Sequence, residues 1–498
     1  MSLPQAWRPA LHYTARRHWL NDPNGLVFHD GEWHLFYQYN PQGDRWGHMS
    51  WGHAVSADLL HWQELPVALP ETAAQMIFSG SAVVDAANSS GLGVAGVVPM
   101  VAPMVAIYTG VEQRVGGHQR QCLAVSLDRG RSFADYPGNP VLDLGQRDFR
   151  DPKVFWHVAS ARWVMAVALP TEHRVCLYGS ADLKHWALLS DFQRHDLPTG
   201  PCGIWECPEL FDLPLHDAQG RPTGRRGWVL KVDVFDAHIN GSHGGVYWVG
   251  DFDGQRFVAD EQQGPSPGWA DFGSDFYAAQ SWNGVPEHDG RRIWIAWMNN
   301  HRYAQQVPTS PFRGAMTLPR QLWLQAGPLG VRLHQAPIDE LTHCRAEALP
   351  AVAAGAGQRL ADGTRLSLGA VGPTVDITVS FADASAAEFG LLLFCGPQNE
   401  VRVGWEARRQ ALFIDRSRAG AVTDGVDFSG RRWAPCALRD GCLALRLVLD
   451  VSSVEVFADD GAVTLTEQVF PAAGCDGLAL YATGGAVTVR QIAAWPLS

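Results

Sequence analysis

Several features that mark membrane, secreted and disulfide-rich proteins are missing from this sequence. The most apolar stretch, residues 93–108, contains Pro99 and Pro103 and is too short to span a bilayer. Residues 1–10 lack a basic segment followed by an apolar one, so no signal peptide is visible and we expect a cytoplasmic protein; a precursor trimmed here would look the same. The 9 cysteines include no Cys-x-x-Cys pair, and we expect reduced thiols.

Patterns typical of metal and nucleic-acid binding are absent as well. No His-Glu-x-x-His motif or similar ligand spacing occurs, and we therefore predict no metal and no cofactor. The net charge of −12 argues against nucleic acid or an anionic membrane as a partner, because both select basic surfaces. With 498 residues the chain is too long for one ordinary core, so two or more domains are expected.

Tryptophan, glycine and proline are abundant, and this composition favours many short strands joined by tight turns. A tryptophan recurs at near-constant spacing in the second apolar run of a repeated unit: Trp33, Trp163, Trp228 and Trp294. The first gap is twice as long as the other two, and Met104–Tyr108 fits the missing unit. A regular period over about the first 335 residues predicts a five-bladed β-propeller rather than an ordinary sandwich of hairpins.

Two further patterns complete the predicted all-β fold. A turn-rich segment ending in an aromatic residue recurs at residues 56–62, 126–133, 180–186 and 250–257, as expected between the outer strands of a blade. After about residue 335 the strands alternate polar and apolar residues, for example at 445–450 and 454–457. We predict a five-bladed β-propeller at residues 1–335, a linker at 336–344 and a C-terminal β-sandwich at 345–498, which we expect to support the propeller.

Three carboxylates occupy the same place in successive units. Asp22, Asp151 and Glu206 each precede the first apolar run of a unit, which in a propeller becomes the strand that lines the central channel. A lone Asp-Pro is usually a turn element, but a turn does not need a carboxylate at three matching positions. Converging carboxylates serve as nucleophiles, acids and bases, and a retaining glycosidase places two of them roughly 5–5.5 Å apart.

Other residues near these positions suit a sugar. The comparable places in units two and five hold Phe78–Ser81 and Asp275–Gln280, which can hold a hydroxylated ligand. Several tryptophans could stack on sugar C–H faces, although core packing is the usual role of any one of them: Trp19, Trp46, Trp51 and Trp205. Polar side chains could bind hydroxyl groups: Asn21, Gln38, Ser79 and Arg150.

The same segments resemble the motifs of glycoside hydrolase family 32, which comprises invertases, levanases, inulinases and sucrose-6-phosphate hydrolases. The three most specific matches are Trp19–Gly25, Phe149–Pro152 and Trp205–Pro208. Further matches run nearly end to end: Phe36–Pro41, Trp46–His53, Phe78–Ser81, Asp275–Gln280, Pro311–Arg320 and Ser452–Phe457. The resemblance implies a propeller followed by a sandwich and a retaining double-displacement mechanism.

Residue roles follow from this resemblance. Asp22 corresponds to the nucleophile that attacks C2 of a terminal β-fructofuranosyl unit, Glu206 to the acid/base, and Asp151 to the transition-state stabiliser. We expect Glu206 to have a raised pKa, because it must be protonated, and Asp22 to accept hydrogen bonds from neighbours such as Asn21. The candidate substrate-binding residues are Asn21, Gln38, Trp46, Trp51, Phe78, Ser79, Arg150, Cys207, Asp275 and His301.

Two departures from the family pattern bear on specificity. Glu209 replaces a commoner Asp, and His301 falls where many relatives place Trp at the rim of the pocket. We predict an exo-β-fructosidase acting on levan, inulin and also sucrose, with a fructoside as its only partner class; the oligomeric state is left open. The alternatives are a sucrose or sucrose-6-phosphate hydrolase, a fructosyltransferase, and a non-catalytic carbohydrate-binding propeller.

Overall fold

Five blades of mainly antiparallel strands form the first part of the protein. The computed structural model describes residues 6–94, 101–112, 117–194, 203–235, 243–260, 267–421 and 428–498. The first three sheets have four consecutive strands each: β1 His18–His29, β2 Glu32–Asn40, β3 Ser50–Ser56 and β4 Trp62–Leu69; β5 Gln75–Val84, β6 Met104–Glu112, β7 Gln119–Ser126 and β8 Ala134–Asp135; β9 Arg150–His157, β10 Arg162–Leu169, β11 Arg174–Ser180 and β12 Ala187–Gln193. These sheets are blades one to three.

Blades four and five share an edge. Blade four contains β13 Ile204–His216, β14 Pro222–Phe235, β15 His243–Phe252, β16 Phe257–Ala259 and β17 Gly268–Trp269. Blade five contains β18 Tyr277–Ser281, β19 Arg292–Met298, the short β21 Ala315–Met316, β22 Arg320–Gly327 and β23 Gly330–Pro337. The short β20 Phe312–Arg313 precedes β21 in the chain and joins the sheet of blade one. Parallel pairing of Leu215 with Leu324 joins β13 to β22, so the two blades form one continuous sheet.

The blades are arranged in a closed ring. The innermost strands contact one another in the order β1, β5, β9, β13, β18 and back to β1. The last blade is fixed to the first by parallel pairing of His18 with Phe312 and of Trp19 with Arg313. This arrangement is the predicted five-bladed propeller. The repeated tryptophans of the sequence lie on the second strand of blades one, three, four and five, which explains their regular period.

The recurring outer segments are turns between the third and fourth strands. In three of them an aspartate accepts hydrogen bonds from backbone N–H groups two and three residues later: Asp58, Asp182 and Asp253. Such Asx-type turns explain why an aspartate recurs at this place.

The C-terminal part is a sandwich of two six-stranded sheets. Its strands are β24 Arg359–Leu360, β25 Arg365–Ala370, β26 Val375–Ala382, β27 Glu388–Cys395, β28 Glu400–Glu406, β29 Ala411–Arg418, β30 Arg431–Pro435, β31 Leu443–Asp450, β32 Ser453–Ala458, β33 Val463–Gln468, β34 Gly477–Thr483 and β35 Val487–Pro496. The sheet orders are β24-β35-β26-β31-β32-β33 and β25-β34-β27-β28-β29-β30, with one apolar cluster between them. The domain limits set at residues 335 and 345 stay predictions.

Helices are short throughout the described chain. They comprise one helical turn, Pro350–Ala353, and the 3₁₀ turns Val158–Ser160, Pro170–Glu172, Asp339–Cys344 and Asp459–Gly461. In the described ranges no helix has the length and apolar character needed to cross a membrane. Within the same ranges no group of three or more His, Cys, Asp and Glu side chains is placed to hold a metal ion.

Buried charges connect the propeller to the sandwich. Arg320 of β22 donates to Glu455 of β32 at 2.9 and 2.5 Å, to Thr466 at 2.6 Å and to Asp271 at 3.0 Å. His12, in the segment before blade one, lies 2.8 Å from both Asp450 and Glu455. All these side chains are buried, so the contact between the domains is held by paired charges as well as by apolar packing.

A second buried arginine makes the same connection in the opposite direction. Arg416 of β29, in the sandwich, pairs with Asp275 of the propeller at 2.6 Å and with Glu467 at 2.8 Å. It also donates to Tyr303 Oη at 2.6 Å. Each domain therefore contributes a buried arginine that is paired with a carboxylate of the other domain.

Candidate active site

The three carboxylates predicted to converge lie in one cavity on the propeller axis. Asp22 is in β1, Asp151 in β9 and Glu206 in β13, all near the start of an innermost strand. The cavity has a volume of about 250 Å³, and its lining also includes Asn21, Gln38, Trp46, Phe78, Ser79, Arg150, Tyr277 and His301. We call it the site cavity.

Each innermost strand is bulged where it meets the site cavity. The pairing shifts register between Leu20 and Pro23, Phe78 and Gly80, Arg150 and Lys153, Glu206 and Glu209, and Tyr277 and Gln280. A bulge re-aims side chains that regular alternation would send to a sheet face. Pro23, Pro152 and Pro208 lie in three of these bulges, where a missing N–H is tolerated. Asp151 and Cys207 have φ values of 66° and 47°, a strained left-handed backbone typical of functional sites.

Asp22 is held by two hydrogen-bond donors. Asn21 Nδ2 donates to Oδ1 at 3.0 Å, and Ser79 Oγ donates to Oδ2 at 2.8 Å. The Asn21 amide is itself oriented by Trp19, whose Nε1 donates to Asn21 Oδ1 at 2.7 Å. The expected contact from Asn21 is therefore present, and Asp22 is fixed in one orientation, as a nucleophile requires.

Glu206 is bound by an arginine and a tyrosine. Arg150 donates to Glu206 Oε1 from Nε at 3.0 Å and from Nη2 at 2.9 Å, and Tyr277 Oη donates to Oε2 at 2.6 Å. Burial alone would raise the pKa of Glu206, but Arg150, followed by His301 and these hydrogen bonds, holds the pKa below its ordinary value. The raised pKa expected from the sequence is wrong, because the sequence does not reveal this two-point contact.

Asp151 has the opposite pKa shift from Glu206. Burial raises its pKa to about 7; the charge of Arg150 opposes this shift, and the charges of Glu206 and Asp22 add to it. Its Oδ2 accepts a hydrogen bond from the backbone N–H of Cys207 at 2.9 Å. Charging Asp151 and Glu206 together beside one guanidinium is unfavourable, and Asp151 therefore keeps its proton to higher pH than Glu206 does.

Cys207 connects two of the carboxylates and is absent from the described cavity lining. Its Sγ lies 3.7 Å from both Asp22 Oδ2 and Asp151 Oδ2. Burial, with Asp151 and Asp22 adding, raises the pKa of the thiol well above its ordinary value. A thiol that stays neutral is a poor nucleophile, so Cys207 packs between the carboxylates and orients them.

The tryptophans considered for sugar stacking differ in exposure. Trp46 is 48% exposed and lies edge-on to Phe78, with ring centroids 6.0 Å apart. Trp19, Trp51 and Trp205 are at most 4% exposed and belong to the core. Trp46 alone of these four can present a ring face to a ligand in the site cavity.

Three predicted substrate contacts are absent from the described lining of the site cavity: Cys207, Trp51 and Asp275. Trp51 is fully buried, and its Nε1 donates to Phe78 O at 3.0 Å, so it supports the strand behind the cavity wall. Asp275 is fully buried and paired with Arg416 and Tyr303, which places it at the contact between the domains. Trp51 and Asp275 therefore make structural contacts, and the expectation that they bind substrate is not met, because neither side chain is in the described lining of the cavity.

Glu209 lies beneath the site as a buried anchor. Its Oε1 is 2.7 Å from Lys153 Nζ and accepts hydrogen bonds from Ser281 N at 2.8 Å and Ser281 Oγ at 2.6 Å. Glu209 is in β13, Lys153 in β9 and Ser281 in β18, so the carboxylate joins blades three, four and five below the cavity.

Two contributors were missed by the sequence reasoning. Tyr277 lies inside the Asp275–Gln280 segment, yet nothing in the sequence indicates that its hydroxyl reaches Glu206. His243 stacks on Tyr277 with centroids 4.3 Å apart, and it lies on a different blade. A contact between blades leaves no spacing signal in one sequence.

A small cavity lined by three carboxylates, one guanidinium and several hydroxyl-binding groups, on the axis of a β-propeller, defines a glycoside hydrolase. Residues 12–337 match the N-terminal domain of glycosyl hydrolases family 32, and residues 351–496 match the C-terminal domain of that family. The chain belongs to glycosyl hydrolases family 32.

Similar proteins agree with this membership. The chain is 42% identical to a levanase of Bacillus subtilis (strain 168), over 99% of this chain and 70% of the relative. It is 35% identical to an extracellular exo-inulinase of Aspergillus awamori, over 97% of this chain and 93% of the relative. The crystal structure of an exo-inulinase from Aspergillus awamori superposes with a TM-score of 0.89 at 33% identity, covering 100% of this chain and 99% of that one.

A second solved structure carries a ligand. A β-fructofuranosidase from Schwanniomyces occidentalis, complexed with fructosyl-erythritol, superposes with a TM-score of 0.85 at 29% identity and covers 99% of this chain and 98% of that one. Both solved structures match nearly the whole chain, so the propeller and the sandwich are shared together.

Proposed function

We propose that this protein is a retaining exo-β-fructosidase that releases terminal β-D-fructofuranosyl units from levan and inulin, and also cleaves sucrose. The observation that carries the proposal is the convergence of Asp22, Asp151 and Glu206 in a cavity of about 250 Å³. Pockets for drug-sized ligands measure about 300–1,000 Å³, so this cavity suits a single terminal sugar unit rather than an internal stretch of polymer.

Asp22 is the nucleophile of the first step. Its carboxylate attacks C2 of the terminal fructosyl unit and forms an ester, while the bond from C2 to the leaving oxygen breaks. The leaving oxygen takes a proton from Glu206, which becomes a carboxylate next to Arg150. In the second step Glu206 removes a proton from water, the resulting hydroxide oxygen bonds to C2, and Asp22 leaves as a carboxylate.

Asp151 explains how Glu206 obtains its proton. The sugar hydroxyls donate hydrogen bonds to Asp151 when a fructosyl unit binds, and such bonds favour its charged form. The pKa of Asp151 is about 7 before the sugar binds, and binding then displaces its proton to Glu206, the neighbouring carboxyl group. Binding of the substrate therefore prepares the acid for the first step.

The names of the relatives support fructans as substrates. One is a levanase and another an exo-inulinase, both similar to nearly all of this chain. A phosphorylated substrate is less well supported. Of the described residues that line the site cavity, Arg150 alone is a Lys or Arg, and its guanidinium is paired with Glu206. A cytoplasmic location stays a prediction.

The mechanism is tested with Asp22→Asn. We expect kcat on sucrose to fall by at least about 10⁴-fold, because an amide cannot form the ester, while binding of fructose measured by calorimetry stays within about threefold. Asp143→Asn, the same change at an exposed aspartate, is the matched control and should keep the wild-type rate. An Asp22→Asn protein with the wild-type rate would refute the mechanism.

Substrate choice is tested by comparing rates on levan, inulin, sucrose and sucrose 6-phosphate. We expect fructose as the product from the first three, with the anomeric configuration retained. Sustained growth of fructan chains at high sucrose, with little free fructose, would instead identify a fructosyltransferase.

A further inference from the structure

Two histidines form a pair beside the acid/base. His301 lines the site cavity, and its Nδ1 lies 2.7 Å from Nδ1 of His243, the first residue of β15. The His301 ring is held edge-on by Tyr277 and Phe235, with centroid distances of 4.8 and 4.6 Å. These contacts fix the ring so that Nδ1 faces the other histidine.

The carbonyl of Ser274 determines which nitrogen of His243 carries a proton. A carbonyl oxygen only accepts hydrogen bonds, so His243 Nε2, 3.1 Å from Ser274 O, is the donor. Burial, with the charge of His301 adding, holds the pKa of His243 well below its ordinary value although the backbone carbonyls of Ser274 and Asn299 oppose the shift, and the ring is neutral at neutral pH. A neutral ring with a proton on Nε2 has an acceptor at Nδ1.

His301 must therefore donate to His243 through Nδ1. Burial lowers the pKa of His301, and the carboxylates Glu206 and Asp22 oppose that shift only in part. In the neutral ring the single proton is on Nδ1, which leaves Nε2 as an acceptor. His301 lines the site cavity, whereas His243 is absent from its described lining, so with Nδ1 turned toward His243 the ring presents Nε2 to the cavity, near the acid Glu206 that protonates the leaving oxygen.

We propose that His301 is a specificity-determining residue whose Nε2 accepts a hydrogen bond from a hydroxyl group of the leaving sugar. His243 is the positioning residue that fixes this tautomer through Ser274. The assignment rests on the proposed fructosidase function. It implies that the enzyme favours leaving groups that carry a hydroxyl group near the bond to be cleaved over leaving groups that carry none.

The test compares kcat/KM on sucrose with kcat/KM on p-nitrophenyl β-D-fructofuranoside, whose leaving group carries no free hydroxyl group in the intact substrate. His301→Phe keeps a ring for packing and removes both nitrogens. Because His301 lies in the site cavity and lowers the pKa of Glu206, both rates should change, but we expect the loss on sucrose to exceed the loss on the aryl substrate by roughly tenfold. His301→Gln restores an acceptor near the position of Nε2 and should recover part of the loss on sucrose.

His243 is tested by the same ratio of the two kcat/KM values. His243→Asn keeps an acceptor near the position of Nδ1 and should preserve the wild-type ratio, whereas His243→Leu should lower it as His301→Phe does. If His243→Leu does not fold, the two His301 variants decide the assignment. Equal losses on both substrates, or no change in His301→Phe, would overturn it. A wild-type protein that releases no fructose from either substrate overturns the proposed function, which is a distinct result.

Discussion

Arg320→Met is expected to destabilise the protein by about 3–5 kcal/mol, the usual effect of removing one partner from a buried ion pair. Arg320 is fully buried and donates to Glu455, Asp271 and Thr466, which come from both domains. Methionine fills much of the same volume but leaves the buried Asp271 without its cation and Glu455 with His12 alone. Against a total stability of about 5–15 kcal/mol for a folded domain, this loss is large.

The measurement is unfolding in urea followed by tryptophan fluorescence. Arg131→Met is the matched control, because Arg131 makes a two-point contact with Glu32 at 2.7 Å with both side chains partly exposed. The control should change the free energy of unfolding by at most about 0.5–1 kcal/mol. Equal effects of the two substitutions, or a loss below about 1 kcal/mol for Arg320→Met, would refute the view that buried charges hold the domains together.

Three further predictions concern pH and the sandwich. Arg150→Gln should raise the pKa of Glu206, so the alkaline limb of the pH profile of kcat/KM should move to higher pH while the maximum falls; a limb that moves to lower pH contradicts this. Burial disfavours the charge on His12, but Asp450 and Glu455 raise its pKa to about 9, above the ordinary value of 6.5. Its contribution to stability is therefore complete below about pH 6.5 and lost as the pH rises to about 9, a dependence that unfolding measurements should find weakened in His12→Gln. Deleting residues 345–498 should give insoluble protein, because buried charges of the propeller lose their partners; a soluble, active propeller would contradict the support role.

The sequence predicted the parts of the structure that repeat. The repeated tryptophans lie on the second strand of their blades, so their spacing predicted the number of blades: Trp33, Trp163, Trp228 and Trp294. Bulges containing proline recur with the carboxylates, which is why three Asp-Pro or Glu-Cys-Pro segments could be recognised as equivalent positions. Repetition makes a structural rule visible in a single chain.

The sequence could not predict contacts that join different repeats. Asp275 was expected in the pocket, but its partner Arg416 lies far along the chain, in the sandwich. The same limit applies to Glu206, whose pKa depends on the side-chain geometry of Arg150. Alternation along a strand assigns a face, yet it does not say which side chain of a neighbouring blade meets that face.

The late closure of the ring has a consequence for biosynthesis. β1 pairs with Phe312 and Arg313, so the sheet of the first blade is completed only after the last part of the propeller sequence has been synthesised. Pairing across such a separation is slow, because the closing of a long loop precedes the contacts that stabilise it. Until then the edge of β1 is unpaired, and a nascent chain halted before residue 312 carries Asp22, Asp151 and Glu206 without a closed ring to hold them together. We therefore expect arrested chains to be inactive and prone to aggregate through that edge.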